Sequence, residues 1–395
     1  MVEEVEEAAA AWTLTLADVR EQLAPRFLRA EPRRRARAYV RALLEPVARK
    51  NGWQLAEAAG ATTPHGMQRL LVGTGWDADV VRDDTRAYVV AQLGDPGGVL
   101  LVDETGFLKQ GTKSAGVARQ YSGTAGRRAN QQVGVFLAYA APRGCAFLDR
   151  ALYLPEEWAT DAARRTAAGI PATVAFATKG ELAQGMLTRA FAAGVPTAWV
   201  VGDVVYGREQ LRRWLEGEHR AYVLAVASDH GVWTAGAQVA AQALADTLPR
   251  DAWHRWSAGT GSQGPRWYDW ACLALPYKAA SGWAHWLLVR RRSSDPRERA
   301  YYRVHAPADT APAAMVAAAG VRWRIETAFA EAKGLVGLDE YEVRRWEGWH
   351  RHVTLSLLAH AALVVARARA VAATAEKGGR ATAPRCACRR PTACA

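Results

Sequence analysis

The chain contains no stretch of apolar residues approaching the roughly 20 needed to cross a bilayer. Its first ten residues, MVEEVEEAAA, are acidic and lack the basic start and apolar core of a secretory signal. These absences predict a cytoplasmic protein with no membrane partner and no export route. Cysteine is sparse and unpatterned: Cys145, Cys272, Cys386, Cys388 and Cys394 make an odd five with no CxxC pair. That excludes a disulfide framework and the common zinc spacings. Acid is in deficit, with 39 Asp and Glu against 51 Lys and Arg, a net charge of +12. Such a balance points to a polyanionic partner, nucleic acid foremost, while saying nothing about fold. At 395 residues, 50% hydrophobic and 23% charged, the chain can build two or three domains or one large α/β core with appendages.

The first third reads as helical. Residues 26–50, RFLRAEPRRRARAYVRALLEPVARK, hold nine basic and two acidic residues around Phe27, Leu28, Tyr39, Val40, Leu43, Leu44 and Val47. The spacing gives a helix with one apolar stripe and a cationic face. That face, with Arg33, Arg34, Arg35 and Arg37, is either solvated or docked on phosphates. A short helix from Trp53 to Ala59 then stops at Gly60, and another starts near Thr62 or Thr63 with Pro64 at its beginning. This is the arithmetic of a helix-turn-helix, whose second helix would offer His65, Gln68 and Arg69 to DNA; a plain helical hairpin shares it. WDADVVRDDTRAYVVAQLG reads as a further helix, and the turn GDPGG at 94–98 marks a boundary.

Beyond the turn the pattern changes. GVLLVDET (98–105) is a continuous apolar run ending in acids, as expected of a buried strand that delivers polar groups at its end. QVGVFLAYA (132–140) and AFLDRALYL (146–154) follow with no room for a helix between them, which predicts an antiparallel meander. A helix over 179–193 leads to a fourth strand, TAWVVGDVVYG (197–207), and a helix-strand unit comes next. Three strands, helix, strand, helix, strand is the order of a ribonuclease H-like core, a mixed α/β sheet. Residues 229–310, rich in Trp, read as a mostly β insertion, with strands at RWYDWACLALP and WAHWLLVRRR. Helices return at VRWRIETAFAEAKGL and at HVTLSLLAHAALVVARARAVAATA, the latter closed by glycines 378 and 379. The expected organisation is a DNA-binding region over 1–96, core over 97–228, insertion over 229–310, core and closing helices over 311–374, and a basic, disordered tail over 375–395.

Chemistry gathers at strand ends. Asp103 and Glu104 end the first strand and Asp203 ends the fourth, and those strands are neighbours in a ribonuclease H-like sheet. Two carboxylates brought together favour a hard divalent cation over mutual repulsion. Side chains alternate along a strand, so Asp103 and Glu104 face opposite ways, and Asp103 is the one assigned to Asp203. A third acid can come from RWRIETAFAEAK, where Arg322, Glu326 and Lys333 share one helix face. Ile325, Phe329 and Ala332 form a separate apolar strip, and Glu331 points away. Arg322 could hold phosphate oxygens by a bidentate fork and Lys333 as a point charge.

VDETGFLKQGTKSAGVARQYSGTAGRRANQQVGVFLAY, VVGDVVYGR and RWRIETAFAEAKGLVGLDEYEVRRWEGWHRHVTLSLLAHA together resemble DDE transposases of bacterial insertion sequences, and are most similar to the seven-hundred-and-one group. The resemblance runs over about residues 25–370. The wider superfamily carries its last acid in a Tyr-x2-Arg-x3-Glu-x6-Lys signature; Arg322, Glu326 and Lys333 match it, and the tyrosine position is Ala319. The resemblance implies Asp103, Asp203 and Glu326 as catalytic, metal-binding residues for Mg2+, with Mn2+ as a substitute. It implies cleavage of transposon ends and joining to target DNA by two-metal phosphodiester chemistry. Double-stranded DNA would be the partner, a homodimer the synaptic form, and the nucleoid the location. Alternatives are a transposase-derived DNA-binding protein without catalysis and a nuclease that does not join.

The loop KQGTKSAGVARQYSGTAGRR (109–128) follows the first acid directly, so Lys109, Lys113, Arg119, Arg127 and Arg128 are expected on the substrate backbone. Insertion tryptophans are expected mainly in the core, with one open to stacking on a base. His350 and His352 have no accompanying ligand cluster and are read as structural.

Overall fold

The computed structural model describes residues 2–381 apart from 74, 124–125, 235 and 262–263. The reading of the tail as disordered lies outside the described residues from 382 onward, as do Cys386, Cys388 and Cys394.

Five helices open the chain: α1 (Val2–Leu23), α2 (Ala30–Leu44), α3 (Gly52–Ala58), α4 (His65–Val72) and α5 (Ala78–Leu93). In α1, Ala11, Thr15, Val19 and Leu23 are buried at four-residue spacing. This helix lies in the region expected to be helical, and its alanines and early acids suit a helix start, although its bounds had not been marked. In α2, Ala36, Tyr39, Val40 and Leu43 form the expected buried stripe. The helix stops one residue short of Glu45, whose extended ψ of 155° is what the following Pro46 demands. Asn51 caps α3, its side chain accepting from the amides of Trp53 (3.1 Å) and Gln54 (3.0 Å), and Gly60 turns the chain at φ 75° before α4. The helix-turn-helix spacing is therefore realised.

The core strands are β1 (Val99–Leu108), β2 (Ala118–Ser122), β3 (Arg127–Ala141) and β4 (Gly144–Tyr153). Short helices α6 (Glu156–Thr160) and α7 (Ala162–Ala168) lead to α8 (Lys179–Ala192), β5 (Trp199–Gly202), α9 (Glu209–Gly217) and β6 (Tyr222–Val226). β1, β3 and β4 form the expected antiparallel meander, while β1, β5 and β6 run parallel. This is the ribonuclease H-like arrangement. Part of the presumed loop after the first acid is instead strand: β2 pairs with the beginning of β3. Its five residues are mostly polar and lie on an edge, so no apolar run announced them.

The inserted segment holds the hairpin β7 (Gly231–Trp233) and β8 (Gln238–Ala240), then α10 (Ala241–Asp246), β9 (His254–Gly261), β10 (Gly264–Leu275), β11 (Trp283–Arg291) and β12 (Arg299–Pro307). β12 pairs antiparallel with β6, and β11, β10 and β9 follow outward. Among the described residues the insertion thus extends the core sheet to ten strands. Trp270 is buried in its core, whereas Trp233 and Trp267 are both 55% exposed.

The chain closes with α11 (Pro312–Val321), α12 (Trp323–Val336) and α13 (Trp346–Ala381). α13 runs through glycines 378 and 379, which had been expected to stop it. Glycine is tolerated inside a helix at a cost of about 1 kcal/mol against alanine, so its presence alone does not stop one. Its segment 346–375 is apolar and long enough to match a membrane span by length and composition, contrary to the sequence expectation, but 61% of that window is buried inside the protein. It is the axial helix of the core.

Leu100, Val102 and Leu137 pack against α8 and α9 on one face of the sheet, while Leu101, Phe136 and Phe147 pack against α12 and α13 on the other. His352 ties this second layer together. Its Nδ1 accepts from the Tyr39 hydroxyl at 2.8 Å, and its Nε2 donates to the Gly337 carbonyl at 3.1 Å, where φ of 62° ends α12. HxH here is a satisfied core pair, since His350 bonds the Trp346 carbonyl at 2.9 Å. Burial holds the His352 imidazole down at about 4, against an ordinary 6.5. The unfolded chain therefore takes up this proton below pH 6.5 while the folded one resists until about 4, so stability falls as pH drops through that window. The expected loss is about 3 kcal/mol. Thermal unfolding across the window should show a shallower slope for His352→Asn than for wild type; equal slopes would count against this assignment.

Candidate active site

Asp103 and Asp203 meet because β1 and β5 run parallel in register, Val102 opposite Gly202. Adjacent strands lie about 4.8 Å apart, so the next residue of each places a carboxylate beside the other. Asp203 lies just past β5, which ends at Gly202 rather than running on to 207, and its Oδ1 accepts from the Val205 amide at 2.9 Å. Asp103 and Glu104 do not end β1 as expected, because pairing with β3 carries the strand on to Leu108. Asp103 Oδ1 accepts from the Glu104 amide at 2.8 Å. Burial pushes the Asp103 carboxyl up to about 7, with Asp203 and Glu104 adding to the rise and Arg322 opposing it. Asp203 is raised as well, by burial and then by Glu104. Two crowded, desolvated carboxylates cannot both ionise freely at neutral pH.

Strand alternation separates Asp103 from Glu104. Asp103 faces the α12 layer; Glu104 faces the α8 layer, where its Oε1 lies 2.7 Å from Lys179 Nζ and its Oε2 accepts from Tyr206 at 2.5 Å. Lys179 and Tyr206 were not anticipated. The signal was present in the tyrosine three residues beyond Asp203, but nothing in the sequence tied it to Glu104.

Arg322 lies at the junction of α11 and α12. Its Nη1 is 3.4 Å from Asp103 Oδ2, and its Nη2 is 2.5 Å from Glu326 Oε1. The fork expected to grip phosphate is thus taken up by two carboxylates. Glu326 remains 56% exposed. Glu331 sits on the opposite side, 2.6 Å from Arg367 and 3.6 Å from His360; hydrogen bonds from His360 and Arg367 hold it down at about 2.

Among the described residues no three acid, histidine or cysteine side chains converge closely enough to hold an ion as they stand. The donor set nevertheless suits a hard divalent cation. It is made of carboxylate oxygens, two of them mutually destabilised, and a guanidinium already lies between Asp103 and Glu326, so the site calls for positive charge. A cavity of about 900 Å³ lies elsewhere, among Trp76, Arg150, Leu182 and His350, away from these acids.

The basic residues divide into two groups. Lys333 turns to the Gly106 carbonyl at 3.3 Å, and Lys109 to the Tyr341 carbonyl at 3.2 Å with its ammonium 3.5 Å above the Tyr341 ring. Burial lowers Lys109 to about 8. Both lysines brace the end of β1. Lys113, Arg119, Arg127 and Arg128 are exposed, the last three on the β2–β3 hairpin. On α2, Arg33 donates to the Phe27 carbonyl (3.0 Å), Arg35 pairs with Glu31 and Arg37 reaches the Arg20 carbonyl (3.4 Å), while Arg34 is exposed. His65, Gln68 and Arg69 are exposed on α4.

Two family matches cover this architecture: "DDE superfamily endonuclease" over residues 22–255 and "Transposase DDE domain" over residues 175–362. A curated relative from Microchaete diplosiphon, described as "Probable transposase for insertion sequence element IS701", is 28% identical over 187 residues, 47% of this chain and 46% of the relative. The match thus spans about half the length of that relative. With more than half of its length matched to the first of these families, and with Asp103 and Asp203 brought together by adjacent parallel strands of a ribonuclease H-like sheet, the chain belongs to the DDE superfamily of endonucleases and transposases.

Proposed function

We propose that the protein is an insertion-sequence transposase that cuts transposon ends and joins them to target DNA, with Asp103, Asp203 and Glu326 as its acids. The observation that carries this reading is the side-by-side placement of Asp103 and Asp203 just past the last paired residues of the parallel β1–β5 ladder, linked through Arg322 to Glu326. Those three carboxylates would hold Mg2+, which when bound supplies Lewis acidity to the phosphodiester and lowers the pKa of the attacking water or 3'-hydroxyl. The chain's own residues do the positioning. The Val205 amide fixes Asp203, and Glu104, held by Lys179 and Tyr206, braces β1 next to Asp103. Arg322 balances the carboxylates and stands where phosphate oxygens would approach. The exposed β2–β3 hairpin and α4 supply the surfaces for duplex DNA, through Arg119, Arg127, Arg128, Gln68 and Arg69. Two copies would synapse a pair of ends.

Purified protein incubated with end-containing duplex, target plasmid and Mg2+ should yield both nicked ends and covalent end-plasmid joints. Nicked ends without joints would make it a nuclease. DNA binding with neither product would leave a non-catalytic binder.

A further inference from the structure

On the face of the sheet covered by α9 and α10 lies a second polar cluster, made of residues the proposed transposition chemistry does not use. β12 places Arg303 opposite Leu224 of β6 and Leu287 of β11, and His305 opposite Tyr222 and His285. Arg303 is 2% exposed, and Arg212, on α9 above it, is 7% exposed. Neither guanidinium has a carboxylate within salt-bridge reach among the described residues. Arg303 leans instead on the uncharged Tyr277 ring, 4.2 Å from its centroid. Glu216, also on α9, accepts from the Tyr222 hydroxyl at 2.6 Å and lies 3.9 Å from His285 Nδ1, while Asp229 and Glu209 bear on His230.

The nitrogens left over point to one kind of ligand. Arg212 Nε, Arg303 Nε, His230 Nε2, His285 Nδ1 and His305 Nδ1 are all buried without a hydrogen-bond partner. The positive fields of Arg212 and Arg303 both bear on His230 and His285 and help to keep those rings neutral. Two buried guanidiniums side by side repel each other and have lost most of their hydration, a costly combination that an anion between them would relieve. Guanidinium forks match tetrahedral oxyanions in shape and charge.

We propose that this seam is a binding site for a small phosphate-type oxyanion, gripped between Arg212 and Arg303 with His230 Nε2 as a further donor. The occupant is a free ion rather than a DNA backbone phosphate, because side chains only 2% and 7% exposed leave no room for a duplex. Bound there, the ion fastens α9, which follows the Asp203 turn, to the inserted strand β12.

The test is thermal unfolding of the full chain at fixed pH and ionic strength, with sodium phosphate replacing sodium chloride in steps. The wild-type Tm should climb with each tenfold increase in phosphate, and Arg303→Met and Arg212→Met should lose most of that climb. If Arg303→Met does not fold, Arg212→Lys, which keeps the charge but loses the fork, should show a reduced climb. Equal phosphate responses in wild type and variants overturn the site. So does an Arg303-dependent rise with short duplex DNA that free phosphate fails to reproduce, which would assign the cluster to the DNA backbone.

Discussion

Asp103→Asn should abolish Mg2+-dependent end cleavage, by at least about 10³-fold, while raising the melting temperature. Both halves follow from the same geometry. The Asp103 carboxyl is raised to about 7 from an ordinary 3.8, so its ionised form is destabilised in the fold. A raised carboxyl stabilises the protein below its unfolded value and costs stability as pH climbs through 7. At neutral pH and above the cost is on the order of 4 kcal/mol at most, and the amide removes it. A charge kept at such expense beside a second carboxylate is best explained by a ligand that requires it. Mg2+ should therefore raise the Tm of wild type and not that of the variant, a readout independent of turnover. Asp203→Asn should behave in the same way. Glu326→Gln should lose cleavage with little change in Tm, since its pair with Arg322 is more than half exposed. Glu331→Gln should do the reverse, keeping cleavage and losing about 1 kcal/mol from its contacts with Arg367 and His360. Cleavage that survives Glu326→Gln but fails in Glu331→Gln would refute the assignment of the third acid.

Gly207→Ala is expected to be the most damaging single methyl in the molecule's active region. A Cβ at Gly207 would stand 1.9 Å from the Ala225 carbonyl oxygen and 3.1 Å from its carbon, both backbone atoms of β6. Neither can swing aside as a side chain would. The turn from Asp203 to Gly207 is closed by its own bonds, Tyr206 amide to Asp203 carbonyl at 3.1 Å and Gly207 amide to Val204 carbonyl at 3.3 Å. A push at Gly207 therefore travels to Asp203 and, through Tyr206, to Glu104. The loss should be about 3 kcal/mol, accompanied by reduced cleavage even in molecules that remain folded. Unchanged Tm and unchanged cleavage in this variant would mean that β6 yields more easily than its place between β5 and β12 implies.

The parts of this site legible in the sequence were those governed by period. Apolar runs gave β1, β3 and β4, alternation separated Asp103 from Glu104, and helical phase separated Glu326 from Glu331. What escaped was set by tertiary pairing. β2 is polar and lies on an edge, so its pairing with β3 left no apolar trace. The β character of residues 254–307 was readable, but nothing local says that β12 adds to β6. Arg322 and Lys333 stood at spacings suited to phosphate, yet the fold turns one to Asp103 and Glu326 and the other to the Gly106 carbonyl. Spacing fixes the face a side chain leaves from. The partner it finds depends on what the rest of the chain brings to that face.

The shared sheet has a mechanical meaning. Because β12 continues the hydrogen-bond ladder from β6 through Tyr301–His305, the inserted strands and the strand that precedes Asp203 form one plate. Such a plate twists as a unit. A lid carried on a flexible tether could open without disturbing the acids, but a load applied at β9 reaches them by two routes, along the sheet through β10, β11, β12 and β6 to β5, and through α11, where Gly320 lies against Ala258 of β9 two residues before Arg322. Excising the insertion would also bare the edge of β6, an invitation to pair with another molecule. The insertion therefore stiffens the sheet that carries Asp103 and Asp203, and its outermost strand, packed on the helix that leads to Arg322, is no freer to change than the strands inside it.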